Sequence, residues 1–255
     1  MFMFGWFSKS RTVECPVPED ARVWLEEAFQ WLLSEFDKEM IMHRKVLRPI
    51  PADFPITFTQ TEKDAHALLK IVATQMAVNP DQIELFFYDQ QLKEYGGSGL
   101  RLFSQQSPGE KYASGKYYGK NEYGQYQIAI ELSELKDAGG LVATLAHEIA
   151  HIKLLGEERM KFNDEHLTEL IPVIYGLGIF NANTAFRFYA THDSWGYKKQ
   201  GYLSQQMWGY ALALFAHVRK ERDPEWVKYL TTNVRADFKK GFKFLEGNSG
   251  LRVVR

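Results

Sequence analysis

The sequence predicts an α+β fold: a small mixed or antiparallel sheet with a helix packed on it, followed by a largely helical C-terminal part. Three observations predict it. Residues 83–88 and 126–132 alternate their side chains with the period of two that marks half-buried strands. Residues 18–36, and most of the chain after 160, carry apolar side chains at helical spacing. Between these regions lies LVATLAHEIAHIKLLG (141–156), an apolar helical stretch that contains His147, Glu148 and His151.

Each element has a local reason. Pro18 suits the first turn of a helix, and Ala21, Trp24, Leu25, Ala28, Phe29, Leu32 and Phe36 form its apolar stripe. Residues 49–57 hold Pro49, Pro51 and Pro55 and predict a loop. Thr61 with Asp64 three residues on predicts a capped second helix, whose buried stripe is Leu68, Leu69, Val72 and Met76. Asn79-Pro80-Asp81 ends it. Ile83–Tyr88 and Tyr126–Leu132 are the two strands, and the Gly-, Ser- and Tyr-rich segment 95–125 predicts turns and short irregular strands. Asp137 caps the 141–156 helix, and Gly156 stands where it should stop. Helices are then expected over 164–179, 184–190, 205–219, 224–232 and 234–246.

Composition bounds the rest. The chain has 255 residues, 45% of them apolar and 15% aromatic, enough to bury a core in one domain spanning 1–255. Its subdivisions would be 1–160, with sheet and motif helix, and 161–255, mostly helical. With 31 basic and 32 acidic side chains, nothing draws it to nucleic acid or to an anionic membrane. Cys15 stands alone, so neither an internal disulfide nor a cysteine metal site is available. No run approaches the roughly 18 apolar residues of a membrane span. The start, MFMFGWFSKSR, puts apolar residues before basic ones, the reverse of a secretory signal. A cytoplasmic location is the expectation, with the apolar start packed on the domain.

The motif carries the chemistry. His147 and His151 are four residues apart, so a helix places them on one face with Cβ atoms about 5–6 Å apart. Two neutral imidazoles converging there can bind one Zn²⁺. Glu148 is rotated about 100° from His147, outside the ligand pair but beside it, where it can take a proton from water as a general base. Leu141, Val142, Leu145, Ala146, Ile149 and Ile152 surround these polar groups. Burying them without partners would cost several kcal/mol each, and a metal with its waters would supply partners. NDEHLTEL (163–170) is expected to bring the third ligand. Glu165 and Glu169 share a helical face. Glu165 is assigned as the ligand and Glu169 as the acceptor behind His147. Glu169, Asp164 and His166 remain alternative ligands.

HEIAH followed by ExxxE on a second helix resembles the gluzincin clan of zinc metallopeptidases, in the compact form of a minimal gluzincin core, over roughly residues 120–180. The resemblance implies a zincin-like fold, a peptide or protein substrate, and hydrolysis by an activated water. It also implies that Tyr126–Leu132 or a neighbouring strand pairs with the substrate backbone. Glu169 stands where the clan usually has Asp, and Pro172 lies inside the ligand helix, where it should kink it. Metzincins are disfavoured, because Leu154 and Glu157 occupy the positions their motif gives to Gly and His. An amide hydrolase also needs an oxyanion donor. His192, Tyr197 and Tyr202, in THDSWGYKKQGY (191–202), are the chemical candidates. His43, His66 and His217 lack spaced partners and read as structural. The Tyr-rich stretch 111–126 reads equally as a flap or an exposed hairpin. The expectation is thus a zinc metallopeptidase. Its alternative is a non-catalytic regulator or peptide-binding module of the same fold with a structural metal.

Overall fold

The computed structural model describes residues 13–89, 114–190, 195–199 and 202–248. Among these residues the fold is α+β, with eight α-helices, a three-stranded mixed sheet and a two-stranded ribbon. Helix α1 (Glu19–Glu35) follows Pro18 and buries Leu25, Ala28, Phe29 and Leu32, as its stripe predicts. Helix α2 (Lys38–His43) is capped by Asp37, whose side chain accepts from the N–H groups of Glu39 and Met40. It is under two turns long, too short to show periodicity. Helix α3 (Glu62–Gln75) opens with the full Thr61–Asp64 capping box.

Strands β1 (Ile83–Tyr88), β2 (Gly115–Lys120) and β3 (Tyr126–Glu131) form the sheet in the order β1-β3-β2. β1 runs parallel to β3, and β2 antiparallel to it. This corrects one half of an expectation, which named Tyr126–Leu132 or a neighbouring strand. β3 is paired on both sides, so Tyr126–Leu132 has no open edge to offer a substrate. The edge beside the motif helix belongs to β2.

Helix α4 (Ala138–His151) runs through the centre, capped by Asp137, which accepts from the Gly139 N–H. Leu141, Leu145, Ile149 and Ile152 are all fully buried along it. Each such side chain contributes roughly 1.5–3 kcal/mol of hydrophobic burial. The helix does not simply stop. It widens into a π-helical turn over Ile152–Gly156, closed by Glu157 N–H bonding Ile152 O at 2.8 Å. Such turns concentrate at functional sites because they re-aim the chain without ending the helix. Glu158 then takes φ +59°, Met160 N–H bonds back to Leu154 O, and Arg159 donates to Glu35 O at the end of α1. The chain reverses tightly enough for helix α5 (Glu165–Ile174) to return against α4 with only thirteen residues between His151 and Glu165.

The helix expected over 164–179 is two helices, α5 and α6 (Gly178–Thr184). Pro172 is accommodated in the last turn of α5, and the break falls after it, at Gly176 (φ +75°). Leu177 N–H bonds Pro172 O and Gly176 N–H bonds Val173 O, the two bonds of a Schellman cap. A Cβ at Gly176 would lie 2.4 Å from Lys45 O, while Gly176 O accepts from Leu47 N–H. Gly176→Ala should therefore destabilise by about 3 kcal/mol, from left-handed backbone strain plus overpacking. A fall in the urea midpoint at unchanged slope would show it; an unchanged midpoint would refute this account of the cap.

A second correction concerns 184–190. Phe186–Ala190 is strand β4, paired antiparallel with β5 (Trp195–Lys199). A five-residue aromatic run takes either form, and the partner strand decides. Helix α7 (Gln205–Val218) is a core helix, as read, and it packs on α8 (Thr232–Gly247). The 224–232 segment forms only a 3-10 turn, Glu225–Tyr229. No helix among the described residues is long and apolar enough to cross a membrane. The apolar start, GGSG (96–99) and His192 lie outside the described residues.

Candidate metal centre

The two histidines project from the last turns of α4, and α5 crosses that helix with Glu165 in its first turn. Glu165 Oε2 lies 3.2 Å from His147 Nε2 and 3.7 Å from His151 Nε2. One ligand atom from each of the three residues falls within 4.8 Å of the others, so His147, His151 and Glu165 form a group that could hold a metal ion. Tetrahedral ligands at bond lengths near 2.0–2.1 Å sit about 3.4 Å apart, a spacing that lies between these two separations. Glu165 Oε2 is buried and accepts no hydrogen bond among the described residues, and neither ring nitrogen role is filled at His151 Nδ1. The Glu165 oxygen is the kind of buried orphan that a cation would satisfy; His151 Nδ1 is on the far side of its ring from Glu165. The side chains of His147 and Glu165 are 19% and 27% exposed, so the group opens to solvent on their side.

The residues behind the group are arranged as the sequence suggests. Glu169 is buried, with Oε2 3.6 Å from His147 Nδ1, leaving Nε2 turned toward Glu165. Glu169 Oε1 accepts the Tyr202 N–H at 3.1 Å and so ties the segment after β5 to the histidine. Asp164 is occupied elsewhere: it caps α5 by accepting from Leu167 N–H. His166 packs edge-on against Trp24 and lies by Tyr202. Neither rival joins the group. His43, His66 and His217 lie against Glu39, Phe87 and Phe242, away from it.

Electrostatics follow from this packing. Burial opposes a charge on His147, but the Glu165 and Glu169 carboxylates more than offset it and raise its pKa well above the usual imidazole value. Burial and the neighbouring His147 charge push His151 down. Burial also opposes ionisation of Glu165, yet its contact with His147 holds it low in the carboxylate range. Glu148 is the exception. It is 4% exposed, and burial lifts it to about 7 against the opposing pull of His147. A carboxylate poised near neutrality beside candidate ligands has the proton affinity a general base needs.

Several neighbours were not legible beforehand. Tyr117 of β2 stacks its ring on His151, with centroids 6.0 Å apart and planes 8° apart. Tyr202 is half exposed, and burial together with the charges of Glu165, Glu169 and Glu148 raises its phenol. Of the three oxyanion candidates, it is the one whose side chain is described, and it faces the carboxylates. A separate groove of about 510 Å³, lined by Trp24, Trp31, Phe162 and Leu167 among others, lies beyond His166 on the outer side of α5. Trp24 and Trp31 stand two turns apart on α1 and are only partly buried there. No family model, curated protein or solved structure matches the chain.

Proposed function

We propose that the chain is a zinc-dependent metallopeptidase of gluzincin type. The observation that carries this reading is the convergence of His147, His151 and Glu165 within 4.8 Å, beside a buried Glu148 held near neutrality. His147, His151 and Glu165 would hold Zn²⁺. When bound, the ion supplies a Lewis acid that polarises a carbonyl and acidifies water toward pH 7. Glu148 takes the proton from the attacking water and returns it to the leaving amine nitrogen. Glu169 keeps the His147 ring turned with Nε2 inward. The edge of β2, which has no partner among the described residues, is where an extended peptide would add as a further strand. Tyr202 supplies a hydroxyl donor on the carboxylate side.

The test is digestion of a peptide library by the full chain, with and without a zinc chelator. Cleavage should disappear with the chelator and return on adding back Zn²⁺. Cleavage that persists in thoroughly chelated protein would rule the reading out.

A further inference from the structure

Gly115 and Tyr117 stand two residues apart on β2, so they present to the same side of the sheet. That side lies on the motif helix. A Cβ built at Gly115 would meet Thr144 Cγ2 at 2.7 Å, Glu148 Oε1 at 2.8 Å and Glu148 Cγ at 2.9 Å. The strand backbone therefore rests directly on the Glu148 side chain, which is 4% exposed. Two residues along, the Tyr117 ring lies flat on His151. The Tyr117 main-chain amide also faces the Glu148 carboxylate and favours its charged form.

The register that brings these residues here is pinned from the other side. Gly115 pairs with Ile130 and Tyr117 with Ile128, and both isoleucines are fully buried. A slip of one residue would turn every side chain over and set Lys116 on Glu148. Beyond Tyr117 the pairing shifts at a bulge, where Gly119 takes φ +84°. Regular pairing of β2 thus covers the stretch that touches the motif helix.

We propose that β2 is the positioning strap of this site, with Gly115 fixing the Glu148 carboxylate by direct contact and Tyr117 fixing the plane of His151. Gly115 and Tyr117 are positioning residues: they act through the base and a ligand. The role deepens the peptidase reading and rests on it for its catalytic consequence, but the contact itself is testable without turnover.

The test is a thermal double-mutant cycle on the full chain. It is run in a Thr144→Ser background, which removes the Thr144 methyl that a Cβ would meet at 2.7 Å. Gly115→Ala should lower Tm by about 5 °C when Glu148 is present. In Glu148→Ala the same substitution should cost less than half as much, because the space is then free. Equal losses in both backgrounds would overturn the proposal. If Gly115→Ala alone does not fold, recovery of folded protein in the Gly115→Ala/Glu148→Ala double variant supports it, and failure to recover overturns it.

A second arm reads function. Gly115→Ala should keep its metal content and KM while kcat falls about 10–100-fold. Tyr117→Leu should release metal faster, with Glu148 in place. An unchanged kcat in Gly115→Ala would overturn the positioning role. If the wild-type chain cleaves no peptide, that outcome tells against the peptidase reading, and the thermal cycle still decides whether β2 holds Glu148.

Discussion

Glu148→Ala is expected to lower peptide turnover by about 10²–10⁴-fold while the chain retains about one metal ion. The two halves of this expectation come from different atoms. Glu148 is not in the three-residue group, whose ligand atoms belong to His147, His151 and Glu165. Removing its carboxylate leaves that group intact, so metal analysis should not change. It does remove the base beside the group, and no other described carboxylate is free to replace it. Glu165 belongs to the group that could hold the ion, and Glu169 is tied to His147 and to the Tyr202 N–H. The substitution also relieves a buried acidic group from an apolar helix, so the variant should fold at least as well as the parent. Kinetics on a peptide identified from the library, alongside metal content, measures both halves. Undiminished turnover in Glu148→Ala would end the proposed mechanism. Lost metal in the same variant would instead make Glu148 a ligand.

His147→Ala should have the largest effect on binding: from about one zinc per chain to essentially none at micromolar free metal. His147 sits at the centre of the cluster, within 3.2 Å of Glu165 and 3.6 Å of Glu169. Its loss removes a candidate ligand and also takes the His147 imidazole from beside both carboxylates. Glu169→Gln should show a graded result, weakening zinc about 10–100-fold, because it disturbs only the support of the ring. The pH dependence has a definite sign. Without an ion, His147 keeps its proton above the usual imidazole pKa, so loading must displace that proton. Affinity should therefore rise with pH across and above the ordinary imidazole range. Zinc titrations at several pH values, with His147→Ala and Glu169→Gln beside the parent, would check this. Full zinc occupancy in His147→Ala would show that the metal, if bound, sits elsewhere.

Much of this arrangement could be read one residue at a time. The caps at Thr61 and Asp137, the periodicity of α1, α3, α4 and α7, and the alternation of β1 and β3 are short-range features. So is the i, i+4 relation that sets His147 and His151 on one face, and the ExxxE spacing that pairs Glu165 with Glu169. Where expectation and structure parted, a distant partner was responsible. Phe186–Ala190 became a strand because Trp195–Lys199 lies against it. The 164–179 segment broke at Gly176 because Lys45 O and Leu47 N–H come from far along the chain to meet that turn.

The sequence alone determined the α+β class, the motif helix and the residues that gather at the candidate site, because helix spacing and capping are properties of neighbours along the chain. Only the tertiary structure decided that Glu165, not Asp164 or His166, meets both histidines, and that among the described strands β3 is central and β2 lies at the edge. It alone placed Gly115 on Glu148 and Tyr117 on His151. Those outcomes depend on how α5 crosses α4 and on which strand takes the middle of the sheet, and packing between segments far apart in sequence settles both.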